Sequence, residues 1–379
     1  MQPDVHLYLH IPFCKKACHY CNFHFSTSLR LKDVMVTALL TELDMQRGYL
    51  PAGELQTVYL GGGTPSQLPV KDLERIFTKI TDLYGIAAGA EITLEANPDD
   101  LTPEYLADLR RHTPINRLSI GIQSFSDTDL EWMNRAHSAR HALDCLNDAR
   151  AVGFDNLTID LIYGAPTTSD EQWAENLRIA FDHDVPHLSC YCLTVEEGTA
   201  LGHFVAKGKA PAVDEEKAAR QFDYLLEKSS LAGYEHYETS NFARPGYYSR
   251  HNSSYWLGAP YLGIGPSAHS FDGASRQWNI SNNALYIKAI EAGGIPFERE
   301  ILSPEQRYNE LVMTGLRTIW GLDLAQLNTL GPGFVAYFEK NAQRFVESGA
   351  MLRSGDVFTL SAEGKFLADG IAAALFWEE

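Results

Sequence analysis

Short β-rich runs alternate with amphipathic helical patterns through the first half of this 379-residue chain. The strand patterns are Val5–Ile11, Thr57–Leu60, Glu91–Glu95, Arg117–Ile122, Asn156–Ile162 and His187–Leu193. Between them, helical apolar periodicity covers Lys32–Tyr49, Lys71–Leu83, Thr102–Arg111, Ala139–Val152 and Ser169–His183. Alternation of this kind predicts parallel strands joined by right-handed helical crossovers. Six such βα units give an open doubly wound sheet or an incomplete barrel. Both put the loops that follow the strands on one rim, where ligands bind.

From about Pro211 the pattern changes. One long helix is expected over Asp214–Ala232, followed by Y-E-H-Y-E-T-S and the run R-H-N-S-S-Y-W. Past Pro304 come a helix, a short helix and a helix, then strands Leu352–Arg353 and Val357–Leu360 around Ser354-Gly355-Asp356, then a last helix over Ala362–Phe376. Helices followed by a two-stranded wing predict a small winged-helix-like module. The expected units are residues 1–210, 211–302 and 303–379. A net charge of −18 argues against nucleic acid, whose phosphates need basic surface, so the module serves packing or a protein partner. No apolar stretch approaches a membrane span, and the N-terminal residues lack a signal-peptide pattern. Six cysteines in a chain this long do not read as a disulfide framework, so the expected compartment is the reducing cytoplasm.

Three of those cysteines, Cys14, Cys18 and Cys21, fall in one run, C-K-K-A-C-H-Y-C, directly after the first strand. Iron–sulfur clusters take cysteine thiolates, normally four. Three therefore leave one iron open, and an open metal position usually means chemistry there. A zinc site completed by His10, His19 or His24, or a reactive thiol cluster, is the alternative. After the second strand, L-G-G-G-T-P-S lets the backbone approach a ligand closely, or simply makes a tight turn. Glu95 in E-A-N-P, Gln123 in G-I-Q-S-F and Asp160 in T-I-D-L-I-Y-G-A-P end the next three strands, with Arg135 on the following helix. An aspartate inside an apolar run needs a partner or a function. Each residue alone could be structural; together they crowd one rim. Cys145, Cys190 and Cys192 read as core.

These motifs together resemble radical S-adenosylmethionine (SAM) proteins, and more narrowly the branch holding oxygen-independent coproporphyrinogen dehydrogenase and a family of heme chaperones. The resemblance spans nearly the whole chain. It implies an incomplete (βα)6 barrel of α/β class with a [4Fe-4S] cluster on Cys14, Cys18 and Cys21 and SAM on the open iron. It implies SAM contacts from Tyr8, Tyr20, Gly62, Gly63, Thr64, Glu95, Gln123, Arg135 and Asp160, and more loosely from Thr194 and His269. Two departures separate the chain from the dehydrogenase: Phe23 stands where that enzyme has a further cysteine, and only thirteen residues precede Cys14. The run H-N-S-S-Y-W is what the chaperones show. There His251 offers an imidazole to heme iron, while Asn252, Tyr255 and Trp256 orient it or pack on the porphyrin; the competing reading is a packed corner. His236 is a second candidate ligand.

The implied function is a heme chaperone that passes heme to acceptors such as respiratory enzymes, with no catalytic residue and no coproporphyrinogen oxidase activity. The rival is a radical SAM oxidase of coproporphyrinogen III or another tetrapyrrole. A flavodoxin or ferredoxin as electron donor, a homodimer of the loaded form and peripheral membrane contact during delivery follow from the same resemblance.

Overall fold

The computed structural model describes residues 4–378. Strands β1 (Val5–Ile11), β2 (Leu55–Gly62), β3 (Ile86–Ala96), β4 (Arg117–Gln123), β5 (Asn156–Tyr163) and β6 (His187–Cys192) pair in sequence order, all parallel. Helices α1 (Lys32–Met45), α2 (Val70–Tyr84), α3 (Pro103–His112), α4 (Asp127–Trp132), α5 (Ala139–Ala151) and α6 (Asp170–Asp182) make the crossovers. Side-chain alternation along β1 shows why the sheet curls into a partial barrel. Leu7, Leu9 and Ile11 join the apolar layer under the helices, whereas His6 and Tyr8 turn to the concave side. That inner side is polar. His6 Nδ1 lies 2.9 Å from Thr57 Oγ1, and fully buried Arg117 donates to Thr93 and Thr158. A buried polar interior persists only when its groups are paired.

Beyond the six expected units the sheet grows at both edges. Helix α7 (Ala200–Ala206) and the long helix α8 (Glu215–Leu231) lead to β7 (Glu235–Glu238) and β8 (Asn241–Ala243), which add antiparallel to β6. Helix α9 (Arg250–Trp256) carries the run R-H-N-S-S-Y-W. Strand β9 (Tyr261–Ile264) then pairs parallel to β1, and β10 (His269–Phe271), β11 (Ser275–Asn279) and β12 (Phe297–Ile301) continue antiparallel. Periodicity gave no sign of these strands, because they are short and, from β10 onward, largely polar, as in Ser275–Asn279 with S-R-Q-W-N. Residues 304–375 form a separate apolar core with a three-stranded sheet, β13 (Leu322–Asp323), β15 (Val357–Leu360) and β14 (Met351–Ser354) in spatial order. This is the winged-helix-like module, with one strand more than expected. The single final helix is instead two, Ala362–Phe366 and Ala368–Ala373, broken where Leu367 N turns back to Gly364 O. Among the described residues no helix is long and apolar enough to cross a membrane.

Glu42 on α1 locks the β9–β11 extension to the barrel. Fully buried, its carboxylate accepts from Gly265 N at 2.7 Å, from Asn279 Nδ2 at 2.6 Å and from Tyr286 Oη. Burial pushes its carboxyl up to about 7. Glu42→Ala strands three buried donors and should destabilise the chain by about 3–5 kcal/mol in denaturant unfolding. Glu42→Gln, which keeps an acceptor, should lose less than half of that; equal losses would count against the network.

Candidate functional site

The cysteine loop leaves β1 and is tied down along its length. Ser26 N donates to Pro12 O at 2.9 Å and Cys14 N to Ser26 O at 3.1 Å, closing its base. Lys15 reaches Asp99 and Asp100 at 2.6 and 3.0 Å. Asn134 Nδ2, in the turn after α4, donates to Ala17 O at 2.8 Å, and His19 Nδ1 is bonded to Trp132 O. His10 and His24 lie in a different cavity from the thiols, so the imidazoles that would complete a zinc site turn elsewhere. Among the described residues no three His, Cys, Asp or Glu side chains converge on one metal ion.

Cys14, Cys18 and Cys21 line one wall of a cavity of about 710 Å³. That volume lies within the range of sites for cofactor-sized molecules. The same cavity collects Tyr20, Gly62, Gly63, Thr64, Glu95, Gln123, Arg135, Asp160 and Thr194. Tyr8 and His269, which the sequence grouped with them, line the other cavity instead. Even residues of β1 point inward, and Tyr8 there stacks on Tyr59 of β2 and on His251 and lines the other cavity.

The contacts form a connected set. Arg135 donates to Cys18 Sγ at 3.3 Å and to Asn97 Oδ1 and Gly121 O at 2.6 Å each. Asn97 Nδ2 donates to Thr64 Oγ1 at 3.1 Å, and Thr64 Oγ1 donates to Cys14 Sγ at 3.4 Å. Two thiols are thus addressed by donors, Thr64 just after β2 and Arg135 from the loop between α4 and α5 rather than from a helix. Burial pushes the Cys14 thiol up to about 11 and raises Cys21 as well. Iron binding must therefore expel protons from this loop. Among the described residues the buried Nε of Arg135 has no partner. Three thiols on one loop, donors aimed at two of them and a wide adjoining cavity fit a polynuclear iron–sulfur group with a second ligand beside it.

Local backbone explains why these residue types stand here. Gly62 adopts φ 104°, and a Cβ there would come 2.5 Å from the His10 ring; a Cβ on Gly63 would strike Ile11 O at 2.7 Å. The glycine run is required by close packing as much as by any ligand. Gln123 is left-handed at φ 67°, where β4 pairs with β5 again after a β-bulge, and its side chain lines the cavity. Glu95 accepts from Tyr59 Oη at 2.7 Å and from Gly62 N at 3.0 Å. Burial, with the charge of Asp160 nearby, pushes Glu95 up to about 7, and burial pushes Asp160 up to about 6. Two half-buried carboxyls lining one cavity favour a cationic ligand group.

Some lining residues carried no reading in the sequence. Asn97 stood inside E-A-N-P and its amide could have been singled out. Arg317, Lys365, Phe366 and Asp369 close the cavity from the C-terminal module, and no local signal marks them. Cys190 and Cys145 are core residues as expected, but Cys192 is only half-buried and lines the cavity wall.

The second cavity, about 810 Å³, adjoins the first and shares only Asn22 and Phe23 with it. Phe23 is 68% exposed between the two. Tyr255 and Trp256 line this second cavity, while Asn252 lines neither. His251 is not presented to either: it is 1% exposed, with Nδ1 bonded to Thr57 Oγ1 at 2.6 Å and Nε2 to Tyr255 Oη at 2.7 Å. The first of these bonds ties it to the barrel interior, which burial keeps uncharged. His236 is also engaged at both nitrogens, by Thr239 O and Lys365 Nζ, and stacks on Phe242. The corner formed by H-N-S-S-Y-W is therefore packed, contrary to the expectation of an open imidazole there.

Residues 8–180 match the Radical SAM superfamily and residues 302–367 the HemN C-terminal domain. The structure of coproporphyrinogen III oxidase (HemN) from Escherichia coli, 23% identical, covers 99% of this chain and 90% of its own with a TM-score of 0.86, a likeness of fold. The heme chaperone HemW of Mycobacterium tuberculosis is 34% identical over 374 residues, 97% of this chain and 94% of its own length. HemW of Bacillus subtilis is 30% identical over 375 residues, 98% and 99% respectively. The chain belongs to the HemW family of radical SAM proteins.

Proposed function

We propose that this chain is a heme chaperone that holds a [4Fe-4S] cluster and SAM in the cysteine-lined cavity and heme in the adjoining one. The observation that carries the reading is the pairing of two cavities across Asn22 and Phe23, one walled by thiols and strand-end polar groups, the other by aromatic rings and imidazoles. Cys14, Cys18 and Cys21 hold the cluster, with Arg135 and Thr64 donating to its thiolates. Glu95 and Asp160 face the positive end of SAM, and Gly62, Gly63, Gln123, Tyr20 and Thr194 shape its bed. When bound, cluster and SAM supply one-electron chemistry, which in this reading regulates heme binding or transfer rather than turning over a tetrapyrrole. Tyr255 and Trp256 wall the heme cavity, and His251 orients Tyr255 through its Nε2 bond.

The same reading carries delivery to acceptor proteins such as respiratory enzymes, a cytoplasmic location, a flavodoxin- or ferredoxin-type electron donor and dimerisation of the loaded form. It also keeps the three units 1–210, 211–302 and 303–379 as functional parts, the last supplying Arg317 and Lys365 to the cluster cavity. Anaerobic reconstitution, a hemin titration and an assay with coproporphyrinogen III plus SAM test it together. We expect iron–sulfur absorption, stoichiometric heme and no decarboxylation. Oxidative decarboxylation with SAM consumption would reassign the chain to the oxidases, and a protein that binds no heme would end the chaperone reading.

A further inference from the structure

Three imidazoles line the second cavity, and their surroundings are unequal. His10 is 5% exposed and has both nitrogens occupied, by Tyr8 Oη at 3.1 Å and His24 O at 2.9 Å. His24 has Nε2 bonded to Asn283 Oδ1 at 2.8 Å. His269 is exposed to the cavity, and among the described residues neither of its ring nitrogens takes a hydrogen bond. Burial and the charge of Arg276 lower its pKa, which leaves the imidazole neutral and its lone pair available at neutral pH.

The backbone holds His269 in a fixed place. Ser267, two residues before it, is left-handed at φ 65°. Ser267 N donates to Ile280 O at 3.1 Å and Asn279 N to Ala268 O at 2.9 Å, pinning the loop to the end of β11. Gly263 N donates to Ser270 Oγ at 2.9 Å, and a Cβ on Gly263 would lie 2.0 Å from His269 O. The ring itself stacks on Trp278, with centroids 6.1 Å apart and planes at 27°. A strained, pinned loop that ends in an unpartnered imidazole is a preorganised ligand.

The cavity also offers charge for an anion. Arg276 lines it and pairs with Glu310 at 2.7 Å, while Arg307 lines it with no ion pair among the described residues. Glu310 acts on both cations, so the pair Arg276 and Arg307 leaves one positive charge over for a carboxylate. Tyr255, Tyr261 and Phe271 add flat apolar surface between these groups.

We infer that His269, not His251, is the axial ligand of heme iron in this cavity, with Arg307 and Arg276 holding the heme propionates. This rests on the chaperone reading above and assigns its ligand. One imidazole nitrogen donates its lone pair to the iron in place of a solvent ligand, and no redox change is involved.

Hemin titration of the full-length chain, followed by absorbance and electron paramagnetic resonance, tests it. Wild type should show histidine-ligated heme. His269→Ala should lose that signature and bind at least about tenfold more weakly, and added imidazole should restore the spectrum. Arg307→Ala should weaken heme by a factor of about ten while leaving the binding of heme dimethyl ester unchanged. The inference fails if the histidine signature persists in His269→Ala and disappears in His24→Ala or His251→Ala. Wild type that binds no heme at all would instead overturn the chaperone reading itself.

Discussion

Alanine at Cys14, Cys18 or Cys21 should each leave the anaerobically reconstituted protein with almost none of its iron, while hemin binding stays at the wild-type level. The all-or-none loss follows from the ligand count. With three thiolates available, removing one leaves two, and no other cysteine can substitute, since Cys145 and Cys190 are buried in the core. Cys192 lines the cavity from the end of β6, on a different element from the cysteine loop. The thiols are half-buried and carry little packing, so the apo variants should unfold within about 1 kcal/mol of wild type. Heme should survive because the two cavities meet only at Asn22 and Phe23. Iron and sulfide analysis beside a hemin titration reads both arms. Full iron content in Cys14→Ala would remove the three-thiolate site, and parallel loss of heme would merge two cavities that the geometry separates.

The second large effect is a pH-dependent stability carried by Glu95. Its folded-state carboxyl stands at about 7 against an ordinary value of 4.5. The folded chain therefore holds a proton that the unfolded chain has released between those two values. Stability must fall as pH rises through that window, because keeping the ionised group buried costs more than exposing it. At about 1.4 kcal/mol per unit, the penalty reaches roughly 3 kcal/mol above neutrality. Asp160, pushed up to about 6, acts in the same direction and titrates together with Glu95. Glu95→Gln should thus gain about 2–3 kcal/mol on wild type between pH 5 and pH 8 in the apo state. A cation placed in the cavity should reverse the sign, stabilising wild type above the variant at pH 8. Denaturant unfolding at both values, with and without SAM, measures the four corners. A variant that tracks wild type at both pH values would mean that water reaches this carboxylate.

The legible part of the site was the part written at strand ends. Glu95, Gln123 and Asp160 could be grouped because parallel βα units carry the ends of their strands to one rim. Cys14, Cys18 and Cys21 needed only their spacing. Tyr8 and His269 were grouped with them on resemblance, and the curl of the sheet sends both to the neighbouring cavity. Nothing in the local sequence distinguishes these positions, since alternation assigns a residue to the inner face but not to a sector of it. The surroundings of His251 were hidden for a related reason. Next to Tyr and Trp it reads as a heme ligand, yet Thr57, 194 residues away in sequence, claims its Nδ1.

What the sequence determined by itself was the order of the βα units, the rim on which their motifs gather and the three-thiolate loop. Each depends on periodicity or on spacing within a few residues. Tertiary structure decided how that rim is divided. Strands β9–β11 wall a second cavity beside the first, the C-terminal module adds Arg317 and Lys365 to the lining of the thiol cavity, and burial separates His251 from His269. Desolvation and hydrogen bonding act between residues far apart in the chain, so the availability of an imidazole is fixed only once the barrel has closed around it.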